Sequence, residues 1–190
     1  MTKAPLRVAI IIASTREGRF GPTVGDWFAE QARQREDLIV DVVDVADEPP
    51  PSALGAKASE RFARVTATLR EADAFVVVTC EYNHSFPGTL KNLIDTHFHE
   101  WRAKPVAFVS YGGLAGGLRA VEHLRAVFAE LHAVTVRDTV SFHSPWNWFG
   151  GDGRPNDPEG ASAAAKGMLD QLAWWGHALR DARAVRPYGS

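Results

Sequence analysis

Three short stretches of the chain concentrate residues able to hold a ligand. Residues 80–91 read CEYNHSFPGTLK, so Glu81, Tyr82, Asn83 and His84 set a carboxylate, a phenol, an amide and an imidazole side by side. A plain connector has no need of that set, and Pro87-Gly88 then turns straight into a new helical pattern. Residues 13–23, ASTREGRFGPT, bring Arg16, Arg19 and the hydroxyls of Ser14 and Thr23 to the start of a helix that Pro22 opens. A helix N-terminus offers unpaired N–H groups and partial positive charge, which suit a phosphate, and arginines add charge-assisted hydrogen bonds. A solvated cap with exposed arginines would read the same way, and this loop alone does not separate the two. It holds neither GxxxxGK[ST] nor GxGxxG, so a phosphate monoester suits it better than a triphosphate or pyrophosphate. Residues 110–117, SYGGLAGG, follow Ser110 with adjacent glycines, Gly112 and Gly113, whose bare backbone can approach a flat ligand that a side chain would push away.

The elements around these stretches alternate. Short apolar runs at Leu6–Ile12, Leu38–Asp44, Ala74–Thr79, Pro105–Ser110 and Val134–Val140 read as strands, the Val/Ile-rich first of them as buried on both faces. Between them lie helical patterns. One opens at Gly21-Pro22, with Val24, Trp27, Phe28 and Ala32 on one side; the others are Ala58–Ala72, Gly88–Phe98, the Leu118–Leu131 stripe and a long last helix from about Ala161 to Arg183. Strands alternating with helices predict an α/β fold: a five-stranded parallel sheet with helices on both faces, a three-layer sandwich in one domain over residues 1–190. Five strands fit the flavodoxin-like order 2-1-3-4-5, whose ligand crevice lies at the carboxyl ends of the strands, near the switch between strands one and three. The three ligand-suited stretches follow strands one, three and four.

Bulk composition narrows the partners. Lys+Arg 21 against Asp+Glu 23 leaves a net charge of −2 in 190 residues, no field for a nucleic-acid backbone or an anionic membrane. Nor is it the acidic surface of a dedicated electron carrier. Cys80 is the only cysteine, which excludes an intramolecular disulfide and fits a reducing compartment. MTKAPLRVAIII has too short an apolar run for a signal peptide, and no stretch approaches the roughly 18 apolar residues of a membrane span. A cytoplasmic globular protein is expected.

CEYNHSFPGTLKNLID resembles the PEYN-hydroxyl-x-PG-x-LKN-x-ID signature of the NAD(P)H-dependent FMN reductases of flavodoxin-like fold. FVSYGG…GGLRAVEHLR resembles the second signature of that family, and ASTREGRFGPTVGDW its phosphate loop, with all three in family order. The resemblance implies bound FMN, with NADPH or NADH as hydride donor. It implies that Ser14, Arg16 and Arg19, with the N–H groups around Pro22, Thr23 and Val24, hold the FMN phosphate. Glu81, Tyr82 and Asn83 would meet the isoalloxazine edge, largely through backbone, and Ser110, Gly112 and Gly113 would border the ring. It implies a homodimer or homotetramer with each flavin near a subunit boundary. The implied reaction passes hydride from the nicotinamide to FMN and on to a quinone, flavin, azo or oxyanion acceptor. Since the flavin carries the hydride, no catalytic side chain is required. A flavodoxin-like electron carrier and a pathway-specific flavin partner are the alternatives. Cys80 stands where the family has Pro and reads as a small buried filler, since no second cysteine can resolve it.

Other chemistry finds less support. His97 and His99, two apart at a helix end, lack metal-ligand spacing and are expected on the helix surface. Ser85 beside His84 is not in a Gly-x-Ser-x-Gly elbow. The aromatic loop Phe142–Phe149, with Trp146 and Trp148, reads as core edge, subunit contact or a lid over the flavin, the subunit contact being favoured, and one of Trp174 and Trp175 is expected to lie in the core.

Overall fold

The computed structural model describes residues 4–53 and 55–189; of the N-terminal run read above, residues 1–3 lie outside them. Five parallel strands, β1 (Leu6–Ile12), β2 (Leu38–Asp44), β3 (Ala74–Cys80), β4 (Pro105–Gly112) and β5 (Val134–His143), form one sheet in the order β2-β1-β3-β4-β5. This is the flavodoxin-like order. Helices α1 (Gly21–Arg33), α2 (Glu60–Glu71), α3 (Gly88–Thr96), α4 (Leu118–Glu130) and α5 (Pro158–Val185) cover both faces.

The period-two alternation of each strand sorts its side chains between two cores. Leu6, Val8 and Ile10 with Val76, Val78, Ala107 and Val109 pack under Trp27 and Phe28 of α1 and Met168, Leu169 and Leu172 of α5. Ala9, Ile11, Phe75, Val77, Val106 and Phe108 pack on the other side against α2, α3 and α4, through Phe62, Leu69, Leu93 and Leu124. Every residue of β3 is buried, as a central strand covered on both faces must be. Full burial of one such side chain contributes about 1.5–3 kcal/mol, which explains why short, unamphipathic apolar runs became strands.

The strand starts hold as expected, and three strands run further, β3 to Cys80, β4 to Gly112 and β5 to His143. β5 runs on to His143 because a register irregularity between Val106 and Phe108 of β4 lets its last residues keep pairing beside Ser110–Gly112. α3 stops at Thr96, so His97 is the cap residue and not surface: its ring is buried, with Thr66 Oγ1 2.9 Å from Nε2 and the Leu93 carbonyl 2.9 Å from Nδ1. Trp174 and Trp175 are both exposed on α5, the core-facing positions there going to Leu172, Ala173 and Gly176. Among the described residues no helix is long and apolar enough to cross a membrane, and no three His, Cys, Asp or Glu side chains gather as a metal site.

Candidate functional site

A cleft of about 230 Å³ opens where the loops after β1, β3 and β4 meet, lined by Arg16, Phe20, Cys80, Tyr82, Tyr111 and Gly113 among others. Larger depressions exist, including a groove of about 880 Å³ between β5, α4 and α5. The groove has no converging strand ends; another depression, of about 600 Å³, lies at the ends of β1 and β2 and is lined by Ile12, Arg19, Pro22 and Asp44, but the smaller cleft is where the loops after three strands meet, so it is the better candidate.

The loop after β1 is pinned at two points. Tyr111 donates its hydroxyl to Ser14 Oγ at 3.0 Å, and Ser14 is buried beneath the start of α1. Gly21, the first residue of α1, leaves room for that pair: a Cβ there would collide with Ser14 Oγ. Arg19 makes a two-pronged pair with Asp44 at the end of β2, at 2.6 and 2.7 Å, and donates to the Ser14 carbonyl at 2.8 Å. Both side chains are largely covered, and the hydrogen bond to Asp44 raises the Arg19 pKa further. Arg19 therefore shapes the loop with its charge already matched. Arg16 is exposed, its guanidinium 5.6 Å from the Tyr82 ring centre. The helix that follows has no side-chain cap, leaving the N–H groups of Gly21 and Thr23 facing out; Val24 is core, with only its backbone near the helix start.

The exit from β3 is a tight turn. Tyr82 and Ser85 exchange backbone hydrogen bonds at 2.8 and 3.0 Å. Asn83 and His84 between them have φ of 49° and 72°, the pair of positive values of a type I′ turn, where Asn is favoured. Asn83 thus has a conformational role at an exposed tip, outside the lining of the cleft. Glu81 points inward and pairs with Arg119 on the first turn of α4; its side chain is 8% exposed. Glu81 Oε2 and Arg119 Nε are buried with no hydrogen-bond partner.

The exit from β4 is held from below. Ser110 and Ser141 both donate their hydroxyls to the Gly116 carbonyl, at 2.9 and 2.8 Å, so the buried Ser110 side chain supports the glycine loop. A Cβ on Gly112 would lie 3.1 Å from the Gly117 nitrogen, while one on Gly113 would meet nothing within 4 Å. Gly113 is where the wall of the cleft is bare.

Sequence reasoning did not place Phe20, Pro145, Trp146, Tyr111 or Arg119 here. Pro145 and Trp146 reach the cleft from the turn after β5, and Trp146 is 62% exposed at the rim. The aromatic loop otherwise serves the core: Phe142 and Phe149 are buried, 4.9 Å apart and packed edge-on with Trp27. Tyr111 and Arg119 were within the SYGG…GGLRA stretch and could have been singled out as the polar residues next to its glycines.

The floor of the cleft is polar but uncharged. Burial raises the Cys80 thiol, offset in part by hydrogen bonds with Tyr82 and Tyr111. Burial pushes the Tyr82 phenol up to about 12, and raises Tyr111 further. All three stay protonated near neutral pH. The cleft is lined by Arg16 and Arg19, which lead into the uncapped start of α1, by the bare backbone of Gly113, and by hydroxyls and a thiol, with Glu81 matched by Arg119. That arrangement fits FMN: an anionic phosphate at the uncapped helix start, and a flat ring system against Gly113.

Residues 6–147 match the family model described as NADPH-dependent FMN reductase. A quinone reductase of Pseudomonas putida is 33% identical over 183 residues, covering 88% of this chain and 93% of that protein. An NAD(P)H-dependent FMN reductase of Schizosaccharomyces pombe is 32% identical over 126 residues, covering 62% of this chain; the match spans 63% of the yeast protein's length. In fold, the chain superimposes on the NAD(P)H:acceptor oxidoreductase FerB of Paracoccus denitrificans with a TM-score of 0.72 at 23% identity, covering 91% and 98% of the two chains.

Proposed function

The chain belongs to the NADPH-dependent FMN reductase family, and from that premise we propose that it is an FMN-dependent oxidoreductase that takes hydride from NADPH or NADH and reduces a quinone. The observation that carries this reading is a cleft at the strand ends lined by a loose arginine and a bare glycine wall, with the uncapped start of α1 directly after the loop that lines it. FMN, when bound, supplies the hydride acceptor and donor, chemistry that no side chain here provides.

The chain's own residues bind and shield. Arg16 and the N–H groups of Gly21 and Thr23 hold the phosphate, Pro22 fixing the first turn of α1. Arg19, matched by Asp44, and Ser14, matched by Tyr111, set the loop's shape. The backbone of Glu81 and Tyr82 meets the polar edge of the ring, with Asn83 holding their turn. Gly112 and Gly113 border its face, and Ser110 keeps that loop in register. Trp146 and Phe20 exclude water from one side. With Tyr82 lifted to about 12 and Tyr111 raised too, both phenols are protonated near neutral pH.

We place the whole chain in one domain and expect a cytoplasmic homodimer or homotetramer, since Leu114 and Trp146 are exposed beside the cleft, where a second subunit would cover them. The test is reconstitution with FMN followed by steady-state kinetics. NADPH or NADH should be oxidised in the presence of benzoquinone, with parallel double-reciprocal lines as donor and acceptor use one face in turn. A bound flavin that neither nicotinamide reduces would support the electron-carrier reading instead.

A further inference from the structure

At the opposite end of the sheet from the cleft, the chain builds a second polar cavity. It measures about 490 Å³ and lies between the end of α2, the turn before β4 and the tail after α5. Arg70, Arg102, Lys104 and Arg183 line it against a single carboxylate, Glu100. Pairing reduces but does not cancel that excess. Arg70 lies 3.8 Å from Glu100, and Arg183 lies 3.7 Å from Asp73, which Arg180 also approaches at 3.2 Å. Arg102 and Lys104 have no carboxylate within ion-pair distance among the described residues.

Lys104 is buried, and its ammonium donates to the last carbonyls of α2, those of Leu69 and Arg70, at 3.1 and 2.9 Å. It thereby offsets the negative end of that helix, which would otherwise repel an anion. Two of its three N–H groups are used, and the ammonium also lies 5.4 Å from the centre of the Phe75 ring. Arg102 has no such employment. Its guanidinium lies between the rings of Phe98 and Tyr188, 5.5 and 5.6 Å from their centres, and its Nε is buried with no hydrogen-bond partner. The tail that closes the cavity is anchored, with the Tyr188 hydroxyl and His132 Nδ1 3.0 Å apart. Burial, and next the charge of Arg183, push Lys104 down to about 8 against the pull of Asp73 and Glu100, a strain that an anion would relieve.

We propose that this cavity is a binding site for a small phosphate dianion, either inorganic phosphate or a phosphate monoester, held by Arg102 with Lys104 and Arg70. A tetrahedral oxyanion supplies acceptors for the Arg102 guanidinium, whose Nε lacks a partner, and balances the excess positive charge. The site is independent of the flavin cleft, and its ligand would tie the C-terminal tail to α2 and the turn before β4.

The test is calorimetric titration of the FMN-loaded protein with inorganic phosphate and, separately, ribose 5-phosphate, at constant ionic strength against chloride. Flavin that stays with the protein on gel filtration in the same phosphate buffer shows that the added phosphate is not competing in the flavin cleft. Saturable binding is expected in wild type, weakened about tenfold or more in Arg102→Gln and by a smaller factor in Arg70→Gln, as expected for loss of charge-assisted bonds. Tighter binding of the ester identifies esterified phosphate as the ligand. If circular dichroism shows Arg102→Gln misfolded, the exposed Arg70→Gln decides. No saturable binding in wild type, or undiminished binding in the folded variants, overturns the proposal.

Discussion

Arg119→Gln tests a charge pair with one buried member. The Glu81 side chain is 8% exposed and one of its oxygens already lacks a partner, so the guanidinium of Arg119 is its matching charge. Removing one member of a buried pair costs about 3–5 kcal/mol, because the other charge is left in a poorly solvated place. The Arg119 side chain is 42% exposed, so water can partly replace it, and a loss of about 2–3 kcal/mol is the better expectation. For a chain of this size that corresponds to a fall in Tm of about 5–10 °C. The pair joins the turn after β3 to the first turn of α4, so the loss should appear in apoprotein as well as in loaded protein. Glu81→Gln alone leaves Arg119 half in solvent and should cost less, and the double variant Glu81→Gln/Arg119→Gln should recover most of the loss. Urea denaturation of wild type, both single variants and the double variant measures the coupling, expected at about 1.5 kcal/mol or more. If the two single effects simply add, the pair is not coupled and the argument from burial is wrong.

Three further outcomes are expected. Arg16→Ala should weaken FMN by about tenfold or more while leaving riboflavin, which has no phosphate, nearly unchanged by fluorescence titration; equal weakening of both would remove Arg16 from the phosphate. Gly113→Val should leave the melting temperature within about 1 °C, since a Cβ there meets nothing within 4 Å, yet block FMN uptake by filling the bare wall; a variant that loads FMN normally would show that the ring lies elsewhere. Cys80 has its thiol raised by burial, so the protonated form persists in the folded state as pH rises through the ordinary thiol range, and stability from this group falls only above the unfolded pKa. Iodoacetamide at pH 8 should therefore modify native protein at least about a hundredfold more slowly than urea-unfolded protein, and comparable rates by mass spectrometry would contradict the burial.

Much of this molecule follows from local pattern. The runs Leu6–Ile12 and Ala74–Thr79 are short, β-branched and apolar on both alternating sets, which a central parallel strand can bury, and the helical stripes between the strands supply the covering layers; Leu38–Asp44, with Asp41 and Asp44, is the half-exposed edge strand. Turn and cap chemistry is equally local: Pro22 and Pro87-Gly88 mark helix starts because their backbone preferences act within one or two residues. The partners of polar side chains are a different matter, since they depend on which strand ends the sheet brings side by side. Parallel pairing of β1 with β2 sets Asp44 beside the loop that holds Arg19, 25 residues earlier, and so takes that arginine out of the free charge available to a phosphate. Packing of α4 against the turn after β3 joins Arg119 to Glu81, and extension of β5 carries Pro145 and Trp146 to the rim of the cleft. His97 went inward for a similar reason: α3 ends one residue before it, and Thr66 on α2 is there to meet its ring. Side-chain type and spacing determine which elements form and where a ligand can bind; long-range packing decides which charges remain unmatched to bind it, because a charge takes its partner from whatever the fold places within a few ångströms.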